Sequence, residues 1–463
     1  MAMDVSNPTG GDRPIETGVR KTHPVALQDA INALDEVTAV WAGPNHPPLL
    51  ASGRAARVSG SGPDRFQTVK AKGRQLFDRV EQDGIPLPAR PRLFGGFSFF
   101  DTPRLADPWS EFEPAGFLLP AVQITLSEDR TWITGFGQGA TTDRLAKTVY
   151  DLEEAGEGSQ DTPDQQSGSA PTAPADTQPS DSVRSDPEGL RAEQSTWTDR
   201  VRAVRDIIAK GDLQKAVLAE AFDLKLDGKL DIGSVLADLE TRYPKCYRFS
   251  FTAPTAEPSA KTHTTFFGAS PERLVEKRGR SLSTEALAGT VKRGTDLAGD
   301  QAQTKRLLGD QTLATEHDLV ADRITEQLRE LGATVEVGSR TVRTLANVHH
   351  LQTPIAASLP QDVHVLDLVE LLHPTPAVGG LPTAAARDTI AEIESTVRGW
   401  YGAPVGWFDA YGDGTFAVGI RSALAKPGRA TLFAGNGIVA GSDPETEWSE
   451  LEAKFEPIRE VLE

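Results

Sequence analysis

The stretch FFGASPERLV, residues 266–275, sets a carboxylate where a core strand should continue. Phe266 to Ala269 read as a buried strand, Ser270-Pro271 breaks it, and Glu272 follows at once, ahead of apolar Leu274 and Val275. Burying a carboxylate there is costly unless a partner or a reaction uses it. Lys215 opens a strand-like run continued by Ala216, Val217, Leu218 and Ala219. Partly withdrawn from water it could act as a base, and at a strand end it could equally reach solvent. Between Thr415 and Ala423, alternation sets Phe416, Val418 and Ile420 on one face and Ala417, Gly419, Arg421 and Ala423 on the other. Arg421 then stands on a face cleared of bulk, suited to a bidentate grip on a carboxylate, although a solvated arginine would give the same pattern.

Two helical segments add carboxylates. The spacing predicts a helix over 311–331 with an inward stripe of Leu313, Glu316, Val320, Ile324, Leu328 and Leu331, so Glu316 falls on an apolar face, as a ligand or as a side chain snorkelling from its edge. A last helix is predicted from the N-cap Asp443 and Pro444 to the chain end, its stripe Trp448, Leu451, Phe455, Ile458 and Leu462. Glu447, Glu450 and Lys454 form a neighbouring row, which is either a solvated face with one helical ion pair or part of a site. The glycine-rich turn of Gly435, Gly437 and Gly441 just before it favours a site, because backbone can approach a ligand there. Two helix-borne glutamates from distant segments suit Mg2+, which takes one or two carboxylates and completes its shell with water and substrate oxygens.

The elements that must hold these groups are mixed. Before residue 155, short strand patterns (93–100, 117–126, 131–137) alternate with helical stretches such as 67–82, an α+β pattern with antiparallel strands. Residues 156–189 hold Val183 as their only large aliphatic side chain and no aromatic one, and are expected to be a disordered acidic linker or insertion. From 190 to 463 follow an amphipathic helix ending near Gly211, the strands of Lys215, Phe266 and 281–290, and antiparallel hairpins turning at YGDG and KPGR.

Composition narrows the function classes. With 66 acidic against 48 basic residues among 463, the net charge of −18 disfavours nucleic acid or an anionic membrane as partner. Only 15 of the basic residues are Lys, a balance that points to a salt-adapted (halophilic) cytoplasm. The single cysteine, Cys246, excludes an intrachain disulfide and cysteine-rich metal sites. No apolar run reaches the roughly 18 residues of a membrane span, and no leader pattern opens the chain, so a cytoplasmic location is expected.

The segments KAVLAEA (215–221), GASPERL (268–274), TEALAGT (284–290), EHDLV (316–320), VHHLQTPI (348–355), LHPTPAVGGLP (372–382), RGWYGAPVGW (398–407), GIRSA (419–423) and AGNGIVAGSDPETEWSELEAK (434–454) resemble, in order and spacing, those of the chorismate-utilising enzymes, and isochorismate synthases most. GGFSF (95–99) is a looser match. The resemblance implies an α+β sandwich of two packed, mainly antiparallel sheets flanked by helices, with both halves of the chain forming one intertwined domain. It implies Mg2+ on Glu316 and Glu450, with Glu447 behind them, and the ring carboxylate of chorismate on the metal. Arg421, Lys454 and the backbone at Gly435 match the grip on the enolpyruvyl carboxylate; Gly289 and Thr290 line the same pocket, and His350 and Tyr401 stand near the substrate. Glu272 matches the general acid for the departing C4 hydroxyl, and Lys215 the base that activates water for attack at C2. Relatives that use ammonia from a glutaminase subunit, of the anthranilate synthase component I type, carry Gln at position 215, and aminodeoxychorismate enzymes often carry Lys at 288. Lys215 with Ala288 therefore implies water as nucleophile and no glutaminase partner. Salicylate synthases share both features and remain the alternative. Asn436 stands where the family usually has Ala. Menaquinone or siderophore biosynthesis, and a monomer or weak homodimer, complete the expectation.

Overall fold

The computed structural model describes residues 14–44, 46–137, 141–158, 187–226, 230–254, 263–345 and 347–462, with Met3, Asp4 and Gly228. The greater part of the expected linker at 156–189 lies outside the described residues. The helices on either side run to Gly158 and start at Pro187.

Two sheets, each of eleven strands among the described residues, make up the body. Their ladders are antiparallel apart from the short pairing of Met3–Asp4 with Ala56–Gly60. The first sheet sets Ala115–Leu119 and Arg92–Phe97 beside Pro404–Asp409, Gly414–Val418, Arg273–Arg278, Ser281–Lys292 and Val348–Ser358. The second runs from Lys215–Lys225 through Arg429–Ile438, Ser422–Lys426, Thr265–Ser270 and Tyr247–Thr252 to Val37–Ala42 and the strands beyond it. Both sheets thus take strands from either side of residues 159–186. The architecture is the expected α+β sandwich.

Alternation explains the layers. Phe94 and Trp407 of the first sheet meet Phe249, Phe266 and Phe433 of the second, with Trp109 at 4.9 Å from Phe266 and 5.3 Å from Phe433 between ring centroids. Such aromatic contacts contribute about 0.5–1.5 kcal/mol each beyond the area they bury. Helices cover the outer faces: Arg65–Phe77, Gln311–Glu330 and Val365–Leu372 pack on the first sheet, and Ile232–Arg242 and the end of Pro444–Arg459 pack on the second.

The helix expected over 311–331 spans Gln311–Glu330, capped by the Asp310 carboxylate on the amides of Thr312 and Leu313. Its buried side is His317, Val320, Ala321, Ile324, Thr325 and Leu328. Leu313 and Leu331 are half-buried, because the stripe drifts around the helix over five turns. The last helix starts as expected, with Asp443 accepting from the Thr446 amide and Pro444 at its first position, but ends at Arg459 rather than at the chain end.

One expectation fails in an instructive way. Thr415 to Ala423 is not one strand: Gly414–Val418 lies in the first sheet and Ser422–Lys426 in the second. The chain changes sheets between them, and Arg421 takes φ of +49°, the only positive φ among described non-glycine residues. Two-residue alternation continues through the crossing because both flanks are strands, so the pattern cannot reveal that a left-handed residue has redirected the side chain. The break at Ser270-Pro271 is the same event in reverse. Thr265–Ser270 belongs to the second sheet and Arg273–Arg278 to the first. The two crossings lie side by side, the Val418 amide donating to the Glu272 carbonyl at 3.1 Å and the Ala269 amide to the Arg421 carbonyl at 3.0 Å.

Candidate active site

At this seam the sheets part around a cavity with an enclosed volume of about 120 Å3. Lys215, Glu272, Gly289, Thr290, Glu316, His350, Tyr401, Arg421, Gly435 and Lys454 all line it. Glu447 and Glu450 are not in its lining; they stand on the helix of Lys454, two turns and one turn before it respectively.

Each side chain owes its place to a local feature. Lys215 begins the strand Lys215–Lys225 and donates from Nζ to Glu316 Oε1 at 2.6 Å. Burial pulls the Glu316 carboxyl up, but Lys215 beside it, together with Lys454 and His317, more than offsets this and holds it below the ordinary carboxylate range. Glu316 reaches Lys215 because the buried His317 ring docks the helix, its Nδ1 3.2 Å from the Ala288 carbonyl oxygen and its Nε2 2.7 Å from Thr353 Oγ1. Next to that carbonyl, the strand Ser281–Lys292 shifts register at Ala288/Thr290, where Gly289 takes φ of +73°. This bulge, which needs glycine, lets strand and helix approach: a Cβ on Gly289 would lie 3.3 Å from the Leu313 carbonyl oxygen.

Glu272 sits in the crossing, 4% exposed, its amide held by Ser270 Oγ at 3.2 Å and its Oε1 accepting from Thr375 Oγ1 at 3.3 Å. Burial, and then the negative charge of Glu285, push its carboxyl up to about 8 against the opposing effects of Thr375, Lys215 and Arg343. Its protonated form is therefore favoured at neutral pH.

On another wall Arg421 is buried, and burial lowers its pKa. Its Nη2 lies 3.0 Å from His350 Nε2, and His350 Nδ1 lies 2.9 Å from Thr290 Oγ1. A guanidinium can only donate, so Nε2 accepts and the proton rests on Nδ1, facing the threonine oxygen. Burial and the cations of Arg421 and Lys454 keep this imidazole neutral, its pKa well below the ordinary value. Nη1 of Arg421 is buried with no hydrogen-bond partner among the described residues. Lys454 adds a second cation: its Nζ donates to the Gly435 carbonyl at 3.0 Å and to Asn436 Oδ1 at 2.6 Å. Burial lowers its pKa, and the charges of Glu450, Glu447 and Glu316 partly restore it. Lys454 is therefore part of the site rather than of a solvated helical ion pair.

Asn436 turns out to face away from the cavity. Gly435 and Gly437 line it, whereas Asn436 points to the last helix and donates to the Glu447 carbonyl at 2.6 Å and to Glu447 Oε2 at 3.0 Å. The neighbouring glycine is needed for space: a Cβ on Gly437 would fall 2.7 Å from Lys215 Cε, 3.2 Å from its Nζ and 3.5 Å from Glu316 Oε1. Gly437→Ala should displace a flexible side chain and leave the backbone intact. The expected outcome is a loss of kcat of about 100-fold, as for removal of a general base, with a thermal transition within a few degrees of the parent; an active alanine variant would show that Lys215 does not need its observed position.

Sequence reasoning gives no role to three neighbours. Thr375 holds Glu272, His317 docks the Glu316 helix, and Arg398, 2% exposed, donates to the carbonyls of Val217 at 2.5 Å and Val378 at 2.9 Å while pairing with Glu394. Arg398 could have been found as a lone charge beside the aromatic pair Trp400-Tyr401. A threonine in a proline-flanked turn carries no such signal. Tyr401 stacks on Phe433 at 5.5 Å, its hydroxyl against Gly435, and burial raises its pKa so that it stays a donor.

Two sheets with acid, amine and guanidinium gathered at their seam place the chain among the chorismate-binding enzymes: residues 14–463 match the family described as chorismate binding enzyme, and the protein belongs to it. Within that family the chain is similar to isochorismate synthase MenF of Bacillus subtilis (34% identical, covering 80% of this chain and 74% of that one). It is also similar to the salicylate biosynthesis isochorismate synthase of Pseudomonas aeruginosa (33% identical, covering 89% and 82%). The solved structure of the menaquinone-specific isochorismate synthase MenF of Escherichia coli superposes with a TM-score of 0.70, at 26% identity, over 97% of this chain and 96% of its own.

Proposed function

We propose that this protein is an isochorismate synthase, converting chorismate to isochorismate. The arrangement that carries the reading is one cavity lined by the buried Glu272 carboxyl, held toward its protonated form, by Lys215, and by Arg421 with a guanidinium nitrogen unpartnered among the described residues. Arg421 and Lys454 grip the enolpyruvyl carboxylate, which supplies the partner that Nη1 lacks. Lys215 acts as the base, taking a proton from water as its oxygen bonds to C2; the ring double bonds shift, the C4–O bond breaks, and Glu272 gives its proton to the leaving hydroxyl. Water enters and water leaves, so the net change is an isomerisation. Exchange with solvent returns the proton from Lys215 and reprotonates Glu272.

The chemistry of the donors suits Mg2+, although among the described residues no three metal-capable side chains are gathered into one cluster. Glu316, Glu447 and Glu450 offer only carboxylate oxygens, and burial together with the nearby charge of Glu450 holds the Glu447 carboxyl above its ordinary range, an excess of negative charge that a hard dication relieves. Glu316 and Glu450 would hold the ion and Glu447 would support them. Bound there, Mg2+ would neutralise the ring carboxylate.

The reading includes water rather than ammonia as nucleophile, no glutaminase subunit, a cytoplasmic enzyme serving menaquinone or siderophore synthesis, and tolerance of high salt from the acidic composition. No helix among the described residues is long and apolar enough to cross a membrane. Chromatography of the products from chorismate tests it, with and without Mg2+ and at low and molar salt. Isochorismate should be the main product, formation should fall at least 100-fold with a chelator and recover with added Mg2+, as for loss of several kcal/mol of metal stabilisation. Salicylate with pyruvate as main output would overturn the assignment in favour of salicylate synthase.

A further inference from the structure

Glu285 lies outside the cavity lining, yet it is tied to the backbone of the acid. It is 6% exposed on the strand Ser281–Lys292, and its Oε1 accepts from the Arg273 amide at 3.1 Å, the residue after Glu272. Its carboxylate pairs with Arg343 Nη1 at 3.2 Å and accepts from Gln352 Nε2, and Arg343 is itself anchored to the Lys245 carbonyl at 2.7 Å. A second buried carboxylate, fixed by three partners, is thus held behind the first.

We propose that Glu285 is a positioning residue for the reaction: it fixes the backbone carrying Glu272 and, by its fixed negative charge, keeps the Glu272 proton in place until the C4 hydroxyl departs. This rests on the reading of Glu272 as the general acid. Held by the Arg273 amide beside the acid, Glu285 is the charge that most favours the protonated form of Glu272. The groups that face Glu272 from other elements act against it or are neutral. Lys215 and Arg343 favour the carboxylate, as does the Thr375 hydroxyl, and Tyr401 is an un-ionised phenol nearby. The positions of Glu285 and Arg343 therefore predict opposite effects on the acid, which separates an electrostatic role from general loosening of the strand.

The test is the pH profile of kcat/KM for chorismate with Mg2+ present. In the parent the alkaline limb should fall near the Glu272 ionisation. Glu285→Gln, which keeps the size and an acceptor for the Arg273 amide, should move that limb down by about one pH unit or more, so activity lost at pH 8 is largely regained at pH 6. Glu285→Asp should restore it in part, and Arg343→Met should move the limb up. If Glu285→Gln does not fold, the upward shift in Arg343→Met carries the test. An active Glu272→Gln enzyme would overturn the acid assignment and this proposal together. An inactive Glu272→Gln with an unmoved limb in the Glu285 and Arg343 variants would overturn the proposal alone.

Discussion

Glu272→Gln is expected to lower kcat by about 1,000-fold or more while raising the thermal stability of the protein at neutral pH. Both effects follow from burial of one carboxyl. In the native state burial and Glu285 hold the proton until about pH 8, whereas in the unfolded chain it leaves near the ordinary 4.5. Between these values the native state binds more protons than the unfolded one, so this group's contribution to stability is full below about 4.5 and declines as pH rises through 8. Glutamine does not titrate, so the variant escapes the decline, a gain on the order of 3 kcal/mol at pH 7. Near pH 4 the difference should vanish. The activity loss has the same origin, because an amide of equal size can accept from Thr375 but cannot give up a proton to the leaving oxygen. Thermal melts at pH 4.5, 7 and 8.5 beside turnover numbers check the pair: a variant that keeps its activity, or whose stability falls uniformly with pH as the parent's does, contradicts the buried-acid reading.

How much of this is legible in the sequence depends on whether a charge contradicts a pattern. Glu272 interrupts an apolar run and Glu316 interrupts a helical stripe, so both stand out in the sequence alone, as do the helix caps Asp443 and Pro444. Arg421 is legible as a charge but not as a direction. Alternation through residues 415–423 hides the change of sheet, and only the positive φ shows how the guanidinium enters the cavity. Lys454 looks like an ordinary helical charge because sequence does not say which helix flank docks on Gly435. Glu285, Thr375 and His317 break no pattern at all. Their effect comes through contacts made by tertiary packing, at separations of 103 residues for Thr375 and Glu272 and 36 for His317 and Thr353. The fold itself is readable as α+β from the alternation of short strands and helices. The mixing of both chain halves in each sheet is not readable from periodicity, which carries no information on long-range pairing, and its expectation rests on the resemblance.

Arg421→Met should fall most heavily on substrate binding, with kcat/KM reduced by about 1,000-fold and most of the change in KM. The enolpyruvyl carboxylate keeps its charge throughout the reaction, so a group that pairs with it binds ground state and transition state alike. In the free enzyme the guanidinium already bears the cost of burial, with Nη1 unpartnered among the described residues and Nη2 beside His350, which is itself partnered by Thr290. Methionine removes that cost but leaves His350 Nε2 without a donor, a loss of about 1–3 kcal/mol, so the two changes oppose each other and the free variant should melt within a few degrees of the parent. The ligand effect should separate them clearly. Chorismate stabilises the parent in proportion to the logarithm of its concentration over Kd, and at the same concentration this increment should disappear in the variant. Arg421→Lys keeps a cation but not the two parallel donors, and should recover part of the KM. An unchanged KM with full ligand stabilisation in Arg421→Met would mean that the buried guanidinium serves the sheet crossing alone and that the anionic group of the substrate is held elsewhere in the cavity.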